Sequence, residues 1–387
     1  MAIPSLNIGG GKWATKQDKL LAYKQNIGGR YFAINGDTSR NSTATFTNQN
    51  GLIESVGNNV ARVDFQDDVK GALLLEPQST NLITYSEDFS NANWTKTNSS
   101  ITLNSVVSPD GTQNASTLNF TSGANSNINN NVSVTVGQDY TISVWLKSTI
   151  GNQTRRFGAS EGNASLYIDV DITDEWQRFE VLISSYAFTG LTTRISNAND
   201  NSIAGSVLVW GAQLEQLPYA TSYIPTSGSA VTRVQDVANS FGDVNTFNSS
   251  ELTIIIDFIH LQELYTSETY IYSLGSDSDN AIWLRKESGT DILTFRIRTL
   301  GVNQVTLSGL NIVSGLSKMA FKCKNGDISI WYNGNEINTS LASMTLPLSN
   351  IFNFNLFGSQ ISNNKVKQVQ VYKEALTDAQ LITLTTI

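Results

Sequence analysis

The sequence predicts an all-β protein, two antiparallel β-sandwich domains of the jelly-roll type with an extended N-terminal arm. Three observations predict it. Charged residues are only 15% of the 387 while hydrophobic residues are 40%, so neutral Asn, Ser and Thr must clothe the surface. Those side chains hydrogen-bond their own backbone and favour turns, caps and strand ends over helix interiors. The chain also holds 28 glycines, which suit tight turns. Finally, apolar residues recur at every second position in many short runs, the period of a strand with one buried face. The length suits two or three domains.

Residues 1–70 read as an extended arm or anchor. Periodicity there is weak and glycines cluster at Gly9–Gly11 and Gly28–Gly29. The one helix-like run, KQDKLLAYKQN (Lys16–Asn26), is too short and too weakly patterned for a stable helix. Such a segment is expected to pack on another domain or another subunit.

The first sandwich is expected over 71–228. In YTISVWLKS (Tyr140–Ser148), Tyr140, Ile142, Val144 and Leu146 face one way, and Thr141, Ser143, Trp145 and Lys147 the other. SLYIDVDIT (Ser165–Thr173) follows. WQRFEVLIS puts Phe179, Val181 and Ile183 on one face, and SVLVWGAQLEQ puts Leu208, Trp210 and Leu214 together, so Trp210 should be core. LPYATSYIPTSGSA (Leu217–Ala230) then carries two of the six prolines and a run of small residues, which marks it as the linker.

The second sandwich is expected over 229–387. ELTIIIDFI is apolar on both faces, as a central strand is. Further strands follow in YIYSLGS, AIWLRKE, ILTFRIRT, KMAFKCK, ISIWYNGNEI and VKQVQVY. Asn333–Gly334 signals a hairpin, because both central residues of a type I′ turn need positive φ. Thr377 and Gln380 have capping-box spacing, so a short helix should close the chain.

Net charge is −8 and the pI is near 4.8, which disfavours nucleic acid as a partner. The single cysteine, Cys323, allows no internal disulfide and reads as a small strand or core residue. No run approaches the roughly 20 apolar residues of a membrane span, and the N-terminus has no signal-like pattern. Asn-x-Ser/Thr triplets at Asn114, Asn131 and Asn163 are what this composition yields by chance.

Three segments carry a resemblance. LLLEPQSTNLITYSEDFSNANW (Leu73–Trp94) and WGAQLEQLPYATSYIPTSGSAVTR (Trp210–Arg233) resemble a recurrent cassette of bacteriophage tail and virion structural proteins. STATFTNQNGLIESVGNNVARVDF (Ser42–Phe65) is similar to the segment that precedes it. The resemblance spans roughly residues 30–235 and implies a jelly roll like those of carbohydrate-binding modules, bracketed by the two motifs. ISIWYNGNEI and VKQVQVYKEALTDAQLITL resemble the end of a concanavalin A-like, laminin-G-like sandwich. Amides and hydroxyls in the two brackets would satisfy backbone groups locally, so the brackets should lie near each other in space. A virion protein also accounts for an extracellular-style composition without signal or disulfides: it folds in a bacterial cytoplasm and leaves by lysis.

Little in the chain can do chemistry. His260 is the lone histidine, without a GxSxG elbow, and reads as hydrogen-bonded or on the surface. Asp169 and Asp171, with Asp174 and Glu175 beyond, are the candidate pair for glycoside hydrolysis, yet they fit a solvated strand face and turn. Glu76, Glu87 and Asp88 belong to the cassette and should brace it. SDSDN (Ser276–Asn280) lacks the oxygens to complete a calcium site, so no metal and no cofactor is assigned. Sugar binding needs flat rings beside amides. Trp145 and Trp331, on the polar faces of their strands, are the candidate platforms. The expectation is a non-enzymatic virion protein of a tail, fibre or capsid decoration. Its expected partners are other virion proteins, further copies of itself (trimers are common in such appendages) and host surface glycans. The rivals are an adhesin with a true sugar site and a carboxylate-dependent depolymerase.

Overall fold

The computed structural model describes residues 3–13, 15–16, 19–25, 31–121, 126–161, 164–197, 204–247, 249–261, 269–290, 292–311, 315–347, 351–354 and 364–387. Asn163, one of the three triplet asparagines, lies outside the described residues. The described chain is almost wholly antiparallel β-structure with two short helices. It divides into two compact units. The first joins residues 1–51, 56–77 and 234–387, and the second comprises 52–55 and 78–233. The second unit is therefore inserted into the chain of the first.

The first unit is a sandwich of a twelve-stranded and a five-stranded sheet. Its centre is the strand Leu252–His260, flanked by Gly315–Lys324 and Asn364–Tyr372. The double-sided apolar pattern of that strand is used on both faces. Ile254, Ile256 and Phe258 enter the main core with Phe295, Phe321 and Phe352. Ile255 enters a smaller cluster beneath the closing helix Asp378–Thr385. That helix starts in the expected capping box, with Thr377 and Gln380 bonded reciprocally. The expected hairpin turn is present, with φ +47° at Asn333 and +84° at Gly334. Cys323 is buried, and His260 is buried with its Nδ1 3.2 Å from Asn364 Oδ1.

The N-terminal residues are not a separate arm. Leu6–Gly9 pairs with Asn364–Tyr372, and Lys19–Gln25 and Tyr31–Ser39 extend the same sheet. Ala72–Leu75 pairs with the C-terminal strand as well. Weak periodicity misled because these strands are short and glycine-punctuated, and their partners lie hundreds of residues away. The run KQDKLLAYKQN is extended, as expected, and supplies the strand Lys19–Gln25.

The second unit is a jelly roll of two five-stranded sheets with its own interior. One sheet runs, by strand, Ser99–Val106, Ala115–Phe120, Gly205–Glu215, Tyr140–Ser148 and Gln177–Ile183. The other runs Trp94–Thr97, Asn127–Ser133, Gly190–Asn197, Gln153–Glu161 and Ala164–Ile172. Tyr140, Ile142, Val144, Leu146, Phe179, Val181 and Ile183 enter the core as the alternation required. Trp210 does not share the main core. A bulge at Gly211 (φ +63°) shifts the register between Ser143 and Trp145, so Leu214 turns inward while Trp210 stays on the outer face. A Cβ at Gly211 would lie 2.9 Å from the Trp145 ring, so only glycine fits that approach.

The proline-rich stretch expected to be a linker is instead folded onto the second unit. Thr221, Tyr223, Ile224 and Thr226 are buried there. The two brackets meet. Ser79–Asn81 pairs with Val231–Arg233, and Tyr85 bridges to Ser227.

Candidate binding face

The two outer faces of the jelly roll differ. On the first sheet, Trp145, Trp210 and Tyr223 close on one another with ring centroids 4.5 to 5.5 Å apart. The guanidinium of Arg178 lies 4.4 Å over the Trp145 ring. Tyr223, from the returning bracket, brings its hydroxyl to Ser86 (2.7 Å) and Glu87 (2.9 Å). Trp145 is therefore a packed ring, with one face taken by a cation and its edges by aromatics. Trp331, the other expected platform, is 4% exposed among Ile255, Tyr372 and Leu381, with its indole N–H on Ser329. Strand alternation put it correctly on the non-core face, but the closing helix covers that face. Neither ring offers a free plane to a sugar.

The outer face of the second sheet carries no such roof among the described residues. Its register sets rows of side chains. Thr95, Asn129, Arg194, Gly158 and Tyr167 form one row; Arg156 and Asp169 continue the next, and Thr154 and Asp171 a third. On the opposite side of the first row stand Asn131 and Thr192. Thr95, Asn131 and Asp171 are exposed, and Asn129, Thr192, Arg194 and Tyr167 half-buried. Asn131 Nδ2 holds Thr192 Oγ1 at 2.7 Å. At Gly158 a Cβ would lie 2.1 Å from the Leu166 carbonyl, so backbone crowding keeps a gap between Arg194 and Tyr167. The Arg194 guanidinium is 6.0 Å from the centroid of the Tyr167 ring. An aromatic ring, a cation and neutral amides around a bare floor are suited to a polyhydroxylated ligand.

The acids are occupied. Asp169 pairs with Arg156 at 2.9 Å, and Asp171 accepts from Thr154 Oγ1 at 2.7 Å. Sequence reasoning missed a second acid pair: Asn114 Nδ2 donates to Glu87 (3.1 Å) and Asp110 (2.9 Å). Burial pushes Glu87 up, with Asp110 adding to it against the Tyr223 hydrogen bond. Burial also acts on Asp110, but bonds from Ser108, Thr112 and Asn114 outweigh it and hold the carboxyl below its usual range. Each of these four oxygens receives an internal donor, which is the pattern of a braced turn. Asp277 caps the turn at Asp279 and Asn280, and Asp279 meets Arg298 at 3.3 Å. Among the described residues no cluster of three or more His, Cys, Asp or Glu could hold a metal, and no helix is long and apolar enough to cross a membrane.

No family model and no curated protein matches the chain. Similar solved structures exist at low identity. A receptor-binding domain is 12% identical with TM-score 0.32, over 39% of this chain and 39% of its own. The N-terminal tandem of CBM22 domains from Paenibacillus barcinonensis Xyn10C is 12% identical with TM-score 0.29, over 76% and 98%. Domains LG4–5 of the mouse laminin alpha1 chain are 10% identical with TM-score 0.23, over 66% and 89%. The first of these likenesses spans well under half of the chain matched. Function is accordingly argued from this chain's own residues.

Proposed function

We propose that the chain is a non-enzymatic binding protein whose jelly roll takes glycans on the outer face of its second sheet. The observation that supports this most is the asymmetry of the two faces. One is closed by its own bracket, while the other presents Tyr167, Arg194, Asn129, Asn131 and Thr192 around the gap at Gly158. A non-enzymatic role fits the acids, since Asp169 and Asp171 hold neighbours and Glu87 and Asp110 brace a turn. The finer reading rests on the cassette motifs alone. It makes this a structural protein of a bacteriophage particle, working as a homo-oligomer beside other virion proteins and presenting the face to host glycans.

A glycan array followed by calorimetry tests the face. Tyr167→Ala should weaken binding about tenfold, the worth of one good aromatic contact. Trp145→Phe should leave affinity unchanged. Absence of binding to every glycan, or equal affinity in Tyr167→Ala, removes the reading.

A further inference from the structure

We infer that the ligand of this face carries carboxylate groups and that Arg194 is the residue that reads them. The inference rests on the glycan-binding reading above and narrows it to acidic glycans, polymers of hexuronic or nonulosonic acids.

Arg194 stands on Gly190–Asn197, the central strand of the open sheet. The other cation of the face, Arg156, is neutralised by Asp169 at 2.9 Å. Arg194 has no acidic partner among the described residues, and its Nε is buried without a hydrogen-bond acceptor. The Tyr167 hydroxyl across the gap is buried and unpartnered too. A buried polar group without a partner is rare in a folded protein and costly where it occurs. Two of them face each other across one glycine, in the register Arg194, Gly158, Tyr167. Both can donate. A guanidinium edge and a phenol O–H converging on a gap are complementary to a carboxylate, which accepts from both.

Charge context sharpens the choice. The chain carries a net −8, so its overall field repels polyanions and offers no diffuse stickiness for them. One uncompensated cation in such a chain is local selection. Its surroundings are graded. Asp169 and Asp171 lie in the rows on one side of Gly158, while neutral Asn131 and Thr192 lie on the other. The acid group should sit at Arg194, with the neutral part of the sugar chain running toward Asn131 and away from the two aspartates.

The test uses the full chain and a panel of polygalacturonate, alginate and polysialic acid, the carboxyl-reduced form of each, and dextran sulfate. Wild type should prefer at least one carboxylated polymer over its reduced form by about tenfold to a hundredfold, the worth of a charged hydrogen-bonded contact. The preference should fall with added salt. Arg194→Gln should abolish it with little change toward neutral glycans, and Arg194→Lys should keep part of it. Tyr167→Phe, which removes only the hydroxyl, should weaken the acidic ligand selectively and serves as the second variant if Arg194→Gln misfolds. Equal binding of acidic and reduced polymers overturns the inference and leaves glycan binding standing. A preference that survives Arg194→Gln overturns it as well, and dextran sulfate binding as tightly as the carboxylated polymers overturns the assignment to carboxylates. Should wild type bind no glycan at all, the underlying reading fails first.

Discussion

The cassette sequences build two buried polar seams, one in each unit, and they use opposite chemistry. In the first unit the seam is charged. Arg62, 0% exposed, lies between Glu76 at 2.7 Å and Asp236, and Arg40 meets Asp236 at 2.9 Å. Asp236 also accepts from the Glu76 backbone N–H. In the second unit the seam is mostly neutral. Asn81 donates to the carbonyls of Ala212 and Ile224 and accepts from the N–H groups of Ile83 and Leu214, so its amide is fully used. Ser86 and Thr226 exchange hydrogen bonds, and Gln213 receives Ile224 N–H. The stretch that seems able to do so little chemistry is stitching: its amides and hydroxyls replace ladder bonds where chain segments far apart in sequence must join.

The difference matters because the two chemistries fail differently. A buried ion pair gains little over an apolar replacement, but removing one member strands a charge and costs about 3–5 kcal/mol. A buried amide strands only neutral groups, at about 1–3 kcal/mol for each that stays unpaired. Calorimetry should resolve separate transitions for the two units. Arg62→Met should lower the first unit's transition by the largest amount, and adding Glu76→Leu should recover part of the loss. Asn81→Ala should lower only the second unit's transition, by roughly 3 kcal/mol. If either substitution moves both transitions together, the seams are not separate devices.

Much of this was legible in the sequence, for definable reasons. Strand periodicity placed Ile142, Val144, Ile254 and Phe321 because a sheet buries one face and its period is two. Asn333–Gly334 and Thr377–Gln380 were readable because turns and caps are local. Pairing was not local. Nothing near Leu6 names Val371, so the N-terminal strands read as an arm. Prolines at 218 and 225 read as a linker because the acceptors that hold Thr221 and Ile224, on Glu215 and Gln213, are visible only after folding. The platform tryptophans were misjudged for the same reason. Alternation says which face a ring is on, and says nothing of what later lies over it. Tyr167 and Arg194 went unnoticed because each is an ordinary polar-face residue until register sets them across Gly158.

The smallest effect sharpens the charged seam from within. Lys365 bonds Asp64 at 2.7 Å and also meets Asp67. Burial alone would lower its pKa, but the two aspartates outweigh burial and raise it. A lysine whose folded pKa lies above its unfolded value contributes stability in full below the unfolded pKa, and that contribution disappears as pH rises through the folded one. Arg62 behaves differently. Burial opposes its charge, Asp236 and Glu76 outweigh burial, and a guanidinium stays protonated throughout the lysine range. Between about pH 10 and 12, the range in which lysines lose their proton, the stability advantage of wild type over Lys365→Met should shrink toward zero. The advantage over Arg62→Met should persist. Both are read from urea midpoints of the first unit's transition, with the lysine variant cancelling the other groups that titrate there. A Lys365 advantage that stays constant through that range would mean the ammonium is held by packing of its stem rather than by its two aspartates.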